Sequence, residues 1–436
     1  MVVSKLLLTV LYASLSFHVN AAMVSDIPSV HTEGSSLPSH VFRDRLPFVS
    51  TRNDLVKKER PSEDHIHEVV FVVKLRNMEK LTKILHDVSD PLSDNYGYHL
   101  TKDQVSDLTS NPEAKANIMA YLNSNGADVV SETLGGEYVT ATAPVIVWEM
   151  IFNTEFYEFQ QTHHNGDSHD LIRAEEYWIP TELDEHVLAV MNTIEMPVLT
   201  PRYSKMNFEA MSDTDHGDRK LTGGYTADEM ITPRALRAYY NMGNSRGSSL
   251  STQLVFGTND GYFGSTDLAS FLVTVADVPN QAAVSVGGHD TADCTTHDCV
   301  EGNLDMQYIM AMSPVSPTTF WWTRQKFSGF LLQLANTPKP PLVISISYGT
   351  LEKYVTEQEH VIFTQQAIRL SVMGCTMLIA CGDNGASGTY TGPPSGCSYQ
   401  PDFPSGNPYV VAVGATSVNT EYCNQHLFFF SSVGLR

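Results

Sequence analysis

Two carboxylates four residues apart are the first side chains in this sequence whose types and spacing could do chemistry. Glu301 and Asp305 belong to the segment Glu-Gly-Asn-Leu-Asp, which leads into a run, 304–312, that predicts a buried helix. Residues four apart on an α-helix lie one turn above each other on the same face, so the two carboxyl groups would be neighbours. Because like charges that close resist joint ionisation, one carboxyl should hold its proton more tightly than usual. A general base that works in acid needs this property.

The same spacing has a plainer interpretation. Glu301 could simply favour a helix N-terminus, and Asp305 could be solvated. The spacing alone does not separate these alternatives.

Composition narrows the class of partner. The chain has 436 residues, 42% of them hydrophobic, which is long enough and apolar enough for two or three packed domains. Lys and Arg together number 27 against 49 Asp and Glu, for a formal net charge of −22. This excess of negative charge argues against nucleic acid or an anionic membrane as a partner. An acidic compartment would reduce the repulsion among the negative side chains.

The amino terminus, 1–22, has the form of a secretory signal peptide. Lys5 precedes an apolar stretch at 6–17, and Val19-Asn-Ala21 has the small-x-small pattern of a cleavage site. The apolar stretch is too short to span a bilayer, so no membrane anchor is expected. In the oxidising context that secretion implies, disulfides are permitted. Cys294-Thr-Thr-His-Asp-Cys299 could hold a metal through His297 and Asp298, but a local disulfide is favoured.

After a leader at 23–64, the first half of the chain predicts an α+β domain at 65–161. Its elements follow the order β, α, β, β, α, β with extra helix in the first crossover, and the last strand is expected at 155–159. A ferredoxin-like split βαβ sandwich is the natural solution for that order. The polar segment 162–222 is expected to be an exposed linker and activation region.

The second half, 223–436, predicts a different architecture. Apolar strands alternate with helical segments, which indicates a doubly wound, mostly parallel sheet covered on both faces. Function is expected at the carboxyl ends of its strands. The predicted strands are 253–257, 342–348, 376–380 and 409–414.

Several motifs in these two regions resemble those of the sedolisins, the serine-carboxyl peptidases, and most of all the tripeptidyl-peptidase I branch. The resemblance spans about residues 65–430 and includes segments similar to the inhibitory propeptide of that family, 88–97 and 98–101. The motifs of the second half are Glu301-x-x-x-Asp305, Phe320-Trp-Trp322, Ser345-Ile-Ser-Tyr-Gly349, Cys381-Gly-Asp383-Asn-Gly-Ala386 and the segment 403–411.

The resemblance implies a role for three carboxyl groups and a subtilisin-like catalytic fold. Glu301 would be the general base for a serine, Asp305 would orient and back it, and Asp383 would donate a hydrogen bond to the oxyanion. A carboxyl donates such a bond only when it is protonated, so the arrangement would work in acid. Cys381 stands where the family has a serine at the start of the turn.

The family's nucleophile lies in a Gly-Thr-Ser segment well over a hundred residues beyond the oxyanion Asp, whereas 53 residues follow Asp383 here. Ser417, in Gly-Ala-Thr-Ser, ends a strand that matches a structural strand of the family. No nucleophile is therefore assigned in this C-terminally truncated match, and the chain as given is expected to be inactive with an incomplete sheet. The family's calcium site also lies beyond residue 436, so no metal or other cofactor is expected.

The function predicted is that of a peptidase zymogen, secreted or delivered to an acidic vacuole or lysosome. Its substrates would be peptides or unfolded proteins, and its own propeptide would act as an intramolecular inhibitor. Both endopeptidase and tripeptidyl-peptidase activity stay open. The alternative from another class is a non-catalytic binding protein that inhibits an active relative.

Overall fold

The computed structural model of the chain describes residues 39–46, 55–133, 135–162, 168–196, 231–259, 261–292, 294–324, 327–382 and 401–414. The elements of the first half are β1 (His40–Arg45), β2 (Leu55–Lys57), β3 (Ile66–Val73), α1 (Met78–Ser89), α2 (Lys102–Thr109), α3 (Pro112–Ser124), β4 (Asp128–Glu132), β5 (Tyr138–Pro144), α4 (Val145–Phe152), β6 (Phe156–Thr162), β7 (Ser168–Ala174), β8 (Glu176–Pro180) and β9 (Val187–Met191).

The elements of the second half are α5 (Pro233–Tyr239), β10 (Gln253–Gly257), β11 (Phe263–Gly264), α6 (Ser265–Thr274), β12 (Val284–Val286), β13 (Asp290–Thr291), α7 (Val300–Met312), β14 (Thr318–Trp322), α8 (Phe327–Asn336), β15 (Val343–Ile346), β16 (Thr350–Leu351), α9 (Glu357–Val372), β17 (Thr376–Ala380), β18 (Asp402–Phe403) and β19 (Val411–Val413).

Local sequence signals explain where several helices begin. Thr101 and Gln104 form a reciprocal capping box at the start of α2. Asn111 caps α3, and Pro112 occupies its first turn. Proline is tolerated there because backbone N–H groups of the first turn have no partner inside the helix. Thr356 caps α9 by accepting from the backbone N–H of Glu359.

The first half contains the predicted ferredoxin-like sheet, with strands in the order β4-β5-β3-β9. All three pairings are antiparallel. One face carries α3 and α4, whose Ile118 and Trp148 lie in the same buried cluster as Val69 and Phe71 of β3. Extra helix, α1 and α2, follows β3, as the sequence predicts.

The fourth strand of this sheet is β9, which corrects the expected position at 155–159. Segment 156–162 instead forms β6, which lies between β2 and β7 in a separate three-stranded sheet. The sequence Val187-Leu-Ala-Val-Met191 is buried almost throughout, so it suits the place beside β3 better than the amphipathic β6 does.

The segment expected to be an exposed linker is partly structured. Strands β7, β8 and β9 lie within it, and Tyr177, Ile179 and Val190 are fully buried. The many polar residues elsewhere in this segment masked these anchors in its overall composition. The remainder, 163–167 and 197–230, lies outside the described residues.

The second half is the predicted doubly wound sheet. Six strands pair in parallel in the order β12-β14-β10-β15-β17-β19. Successive residues of β10 point to opposite faces: Val255 packs with α6 and α7, and Phe256 packs with α8 and α9. Helices therefore cover both faces of the sheet. Because the strands are parallel, their carboxyl ends lie together along one edge, called the rim below.

Helix α9 belongs to both halves of the structure. Phe363 packs on the parallel sheet, whereas Ile362 packs on the far face of the ferredoxin-like sheet and Ile368 packs with α1 and α2. Arg369 and Glu137 form an ion pair that is almost completely buried between the halves. The described residues from His40 onward accordingly form one compact unit. Within the described part of the chain, no helix is long and apolar enough to cross a membrane.

Candidate active site

Helix α7 brings the two carboxylates of the Glu-x-x-x-Asp segment onto one helix beside the parallel sheet. Glu301 lies in its first turn and Asp305 one turn later. The segment before the helix, 294–299, is closed by a disulfide between Cys294 and Cys299, which confirms the prediction for these two cysteines. The local loop therefore covalently fixes the chain next to the helix start.

Close backbone contact holds the amino-terminal end of α7. A Cβ atom on Gly302 would lie 2.2 Å from the backbone oxygen of Tyr262, so only glycine allows this approach. Asn303 accepts a hydrogen bond from the backbone N–H of Gly264 at 2.7 Å, and its amide donates to Asp267 at 3.0 Å. These contacts tie the first turn of α7 to the loop after β10 and to α6.

Two side chains secure the other end of α7. The guanidinium of Arg237 donates to the backbone oxygens of Ala311 at 3.2 Å and Met312 at 2.7 Å. Helix carbonyls in the last turn have no partner inside the helix, and a cation there also interacts favourably with the helix dipole. The hydroxyl of Tyr308 donates to the backbone oxygen of Ile231 at 2.5 Å. Helix α7 is thus anchored at both ends.

Asp305 is not a solvated side chain. Burial, followed by the nearby charge of Glu301, raises the pKa of Asp305 from 3.8 to about 7, although a hydrogen bond from Ser347 opposes the rise. The Ser347 hydroxyl donates to Asp305 Oδ1 at 3.0 Å. Oδ2 is buried and has no hydrogen-bond partner among the residues that the structure describes. Below neutral pH Asp305 is therefore mostly protonated, and the pair carries at most one negative charge.

Tyr348 lies next to this carboxylate group. Burial, and then the charges of Glu301, Asp305 and Asp298, raise the pKa of its phenol far above the ordinary value. Its oxygen lies 2.7 Å from where a Cβ on Gly261 would be placed, so the loop after β10 passes close to the phenol oxygen. The phenol stays neutral throughout the pH range of interest.

An aromatic and imidazole cluster lies beside the start of α7. The rings of His289 and Trp322 stack with centroids 3.4 Å apart. The ring centroid of Tyr262 lies 4.3 Å from that of His289 and 4.3 Å from that of His297. The indole N–H of Trp322 donates to the backbone oxygen of Asn259 at 2.9 Å. The sequence pointed to Trp322 through its Phe-Trp-Trp motif and to His297 only as a possible metal ligand, and nothing in the pattern indicated His289.

The other residues singled out in the sequence are only partly placed. Asp383 and Ser417 lie outside the described residues. Cys381 is described at the end of β17, where its backbone N–H donates to the oxygen of Val413 at 3.0 Å. Burial and the charge of Asp402 raise the pKa of its thiol. No cluster of three or more metal-ligating side chains occurs among the described residues.

Comparison with known proteins identifies relatives for both halves. A family model described as "Pro-kumamolisin, activation domain" matches residues 53–196, a range that encloses β2 to β9 and is called the activation domain below. Physarolisin of Physarum polycephalum is 26% identical over 388 residues, with 85% of this chain and 63% of that protein covered. Tripeptidyl-peptidase 1 of Homo sapiens is 25% identical over 371 residues, covering 80% and 61%.

Among solved structures, a Pseudomonas sedolisin (serine-carboxyl proteinase) aligns with a TM-score of 0.32 and 18% identity, covering 42% of this chain and 53% of that one. The chain spans somewhat less than two thirds of the length of the curated relatives described above. The predicted relationship to the sedolisins, near the tripeptidyl-peptidase 1 branch, is confirmed.

Proposed function

We propose that this sedolisin relative carries the activation domain and the acid pair of a serine-carboxyl peptidase zymogen that hydrolyses peptide bonds. The observation that carries the proposal is Asp305, a buried carboxyl one helical turn from Glu301 that holds its proton to about pH 7. An isolated structural carboxylate on a helix surface would have neither the burial nor the like-charged neighbour. A matched activation domain at 53–196 precedes this pair in the same chain.

The chemistry follows from the two protonation states. With Asp305 protonated in acid, Glu301 can be the ionised member and accept the proton of a serine hydroxyl as that oxygen attacks a peptide carbonyl. Glu301 is partly exposed, so an incoming group can reach it, and Asp305 lies one helical turn away on the same helix. In the acyl-transfer step that follows, Glu301 would return the proton to the leaving amine.

Asp383 completes the proposal as the oxyanion donor. A protonated carboxyl supplies an O–H to the developing negative oxygen, and this supply falls as the pH rises and the carboxyl ionises. The role rests on its place in the Cys381-Gly-Asp383 turn, directly after β17 of the parallel sheet. Glu301 is thus assigned as the base, Asp305 as its partner and Asp383 as the oxyanion donor. No residue is assigned as the nucleophile.

The activation domain would act as an intramolecular inhibitor. It is held against α9 by buried apolar contacts and by the Arg369–Glu137 pair. We further propose secretion or delivery to an acidic vacuole or lysosome. The signal-like segment ending at Val19-Asn-Ala21 and the Cys294–Cys299 disulfide support this route, because disulfides persist in oxidising compartments.

A peptidase assay on a protein that carries these residues together with a serine nucleophile tests the proposal. We expect hydrolysis of an unfolded peptide at about pH 4, with a loss of about 100-fold or more in kcat/KM for Glu301→Gln, as for removal of a general base. Asp290→Asn, an exposed acid near the same rim, is the matched control and should retain activity. The lengths of the products separate tripeptide release from internal cleavage. Hydrolysis that survives Glu301→Gln would overturn the assignment.

The 436 residues by themselves are predicted to be inactive in the same assay, because no serine nucleophile is assigned within them. A purified 436-residue chain that cleaves peptide, and loses that activity on Glu301→Gln, would show that a serine within it serves as nucleophile.

A further inference from the structure

Ser347 lies at the end of a strand that the sheet holds firmly. It directly follows β15, which pairs with β10 on one side and β17 on the other. Its backbone is therefore located by two neighbouring strands and by the buried Tyr348 that follows. From this position the hydroxyl reaches across to α7 and donates to Asp305 Oδ1 at 3.0 Å.

This hydrogen bond distinguishes the two oxygens of Asp305. A protonated carboxyl has one O–H oxygen and one carbonyl oxygen, and a hydroxyl donor favours the carbonyl oxygen as its acceptor. Since Oδ1 accepts from Ser347, the acid proton belongs on Oδ2. Oδ2 is buried, and no hydrogen-bond partner is found for it in the described ranges.

We propose that Ser347 is a positioning residue, which fixes the orientation of the Asp305 carboxyl and places its proton on Oδ2. Ser347 acts through Asp305, the side chain to which its hydroxyl donates. The inference rests on the proposed peptidase function for its biological meaning, but the bond and its effect on Asp305 are properties of the folded chain alone.

The electrostatic surroundings of Asp305 contain no described cation that would do the same work. The ionisable group that acts on Asp305 is Glu301 from the same helix, whereas Asp298 from the loop before the helix acts on the neighbouring, neutral Tyr348. The Ser347 hydroxyl is the hydrogen-bond donor that the structure shows stabilising the charged form of Asp305. Its removal should therefore shift the Asp305 titration upward.

The experiment is a titration of Asp305 by carboxyl 13C NMR on the full 436-residue chain, with the resonance assigned by Asp305→Asn. We expect Ser347→Ala to raise the Asp305 pKa by about one unit, the size typical of a lost hydrogen bond to a carboxylate. Ser347→Thr keeps a hydroxyl and should restore the wild-type titration. Ser345→Ala, two residues earlier on β15, is the matched control and should leave the titration unchanged.

An unchanged Asp305 titration in Ser347→Ala would overturn the proposal, as would an equal shift in Ser345→Ala or Ser347→Thr. If Ser347→Ala does not fold, Ser347→Cys supplies the comparison, because a thiol is a weak donor of similar size. Its titration should shift in the same direction by a smaller amount, and no shift would again overturn the proposal. The measurement uses no substrate, so its failure leaves the peptidase assay unaffected, and a negative peptidase assay leaves the Ser347 bond standing.

Discussion

Gly302 decides how closely helix α7 approaches the loop that follows β10. Glycine inside a helix normally lowers stability, since it has more conformational freedom to lose than alanine. Here the missing side chain is needed, because a Cβ would lie 2.2 Å from the backbone oxygen of Tyr262. A backbone oxygen cannot rotate away as the end of a flexible side chain can. The glycine beside Glu301 is therefore a packing requirement.

We predict that Gly302→Ala lowers the free energy of unfolding by about 1–3 kcal/mol, the range for overpacking a close contact. Helix propensity alone would give the opposite sign, with alanine better by about 1 kcal/mol. Urea unfolding followed by circular dichroism measures the change. Val300→Ala, on the same helix at a side chain that is 70% exposed, is the control and should have little effect. A Gly302→Ala protein more stable than wild type would contradict the account.

For individual residues, the sequence predicts interacting pairs that are close along the chain and misses interacting pairs that are far apart in it. The spacing of Glu301 and Asp305 is enough to place them one turn apart, because the helix fixes that geometry. The Ser347–Asp305 bond joins residues 42 positions apart. It exists because β15 and α7 meet at the same rim, which no local pattern specifies.

Helix α9 is the element on which both halves of the structure depend. Its buried side chains point in two directions, and its Arg369 is 2% exposed beside Glu137 at 4%. Burial alone would raise the pKa of Glu137. The charge of Arg369 and hydrogen bonds, including one from Thr133, outweigh burial and leave that pKa below the ordinary value of 4.5. The stabilising contribution of Glu137 is therefore present above about pH 4.5 and is lost as the pH falls through its folded pKa.

We predict that Arg369→Met lowers the free energy of unfolding by about 3–5 kcal/mol, because it leaves the Glu137 carboxylate buried without its cation. Adding Glu137→Leu to that variant should recover much of the loss, since neither charge then remains. Lys115→Met, which breaks the more exposed pair with Glu132, should cost at most about 1 kcal/mol. Equal losses for Arg369→Met and Lys115→Met would contradict a special role for the buried pair.

Helices with strong local signals were predictable from the sequence. The position of a strand in a sheet was not predictable where two segments could both fill it. The helix starts after Thr101 and Thr232 and the helix at 145–152 follow from caps and apolar runs. The choice between β6 and β9 as the neighbour of β3 is different, because both segments are competent strands. Only the packing of the whole domain selects between them.

At the scale of the whole molecule, acidity acts on the activation domain through a half-buried histidine, His67. His67 lies under Phe156 with ring centroids 5.5 Å apart, and its Nε2 is 2.8 Å from the backbone oxygen of Asn192. Arg173, also half-buried, donates to the side-chain oxygen of Asn192 at 3.3 Å. Burial, despite the Asn192 bond, lowers the pKa of His67 from 6.5 to about 4, and the charge of Arg173 acts in the same direction.

His67 makes the folded chain less stable as the pH falls. The unfolded chain binds a proton at His67 below about pH 6.5, whereas the folded chain resists it until about pH 4, so acid favours unfolding. We predict a loss of about 3 kcal/mol from this group between those pH values. His67→Gln should flatten the dependence in urea titrations of the full chain, and the exposed His65→Gln should leave it as in wild type. An unchanged pH dependence in His67→Gln would contradict the prediction.

The two fold classes were predictable because alternation of strands and helices differs between the halves. The way the halves join was not, since it depends on a second apolar face of α9 and on a buried ion pair 232 residues apart in sequence. The polar segment after residue 162 illustrates the same limit. Composition indicated an exposed linker, although three strands with buried anchors lie within it.

The coupling between Glu301 and Asp305 is the most direct test of the acid pair. Carboxyl NMR on the full chain would follow the titration of Asp305 in wild type and in Glu301→Gln. We predict a wild-type pKa of about 7 that falls in Glu301→Gln, because the like charge is removed, yet stays above 3.8 because the carboxyl remains buried. An Asp305 that titrates near 3.8 in both proteins, with no response to Glu301, would contradict the central claim that these residues form one proton-sharing site.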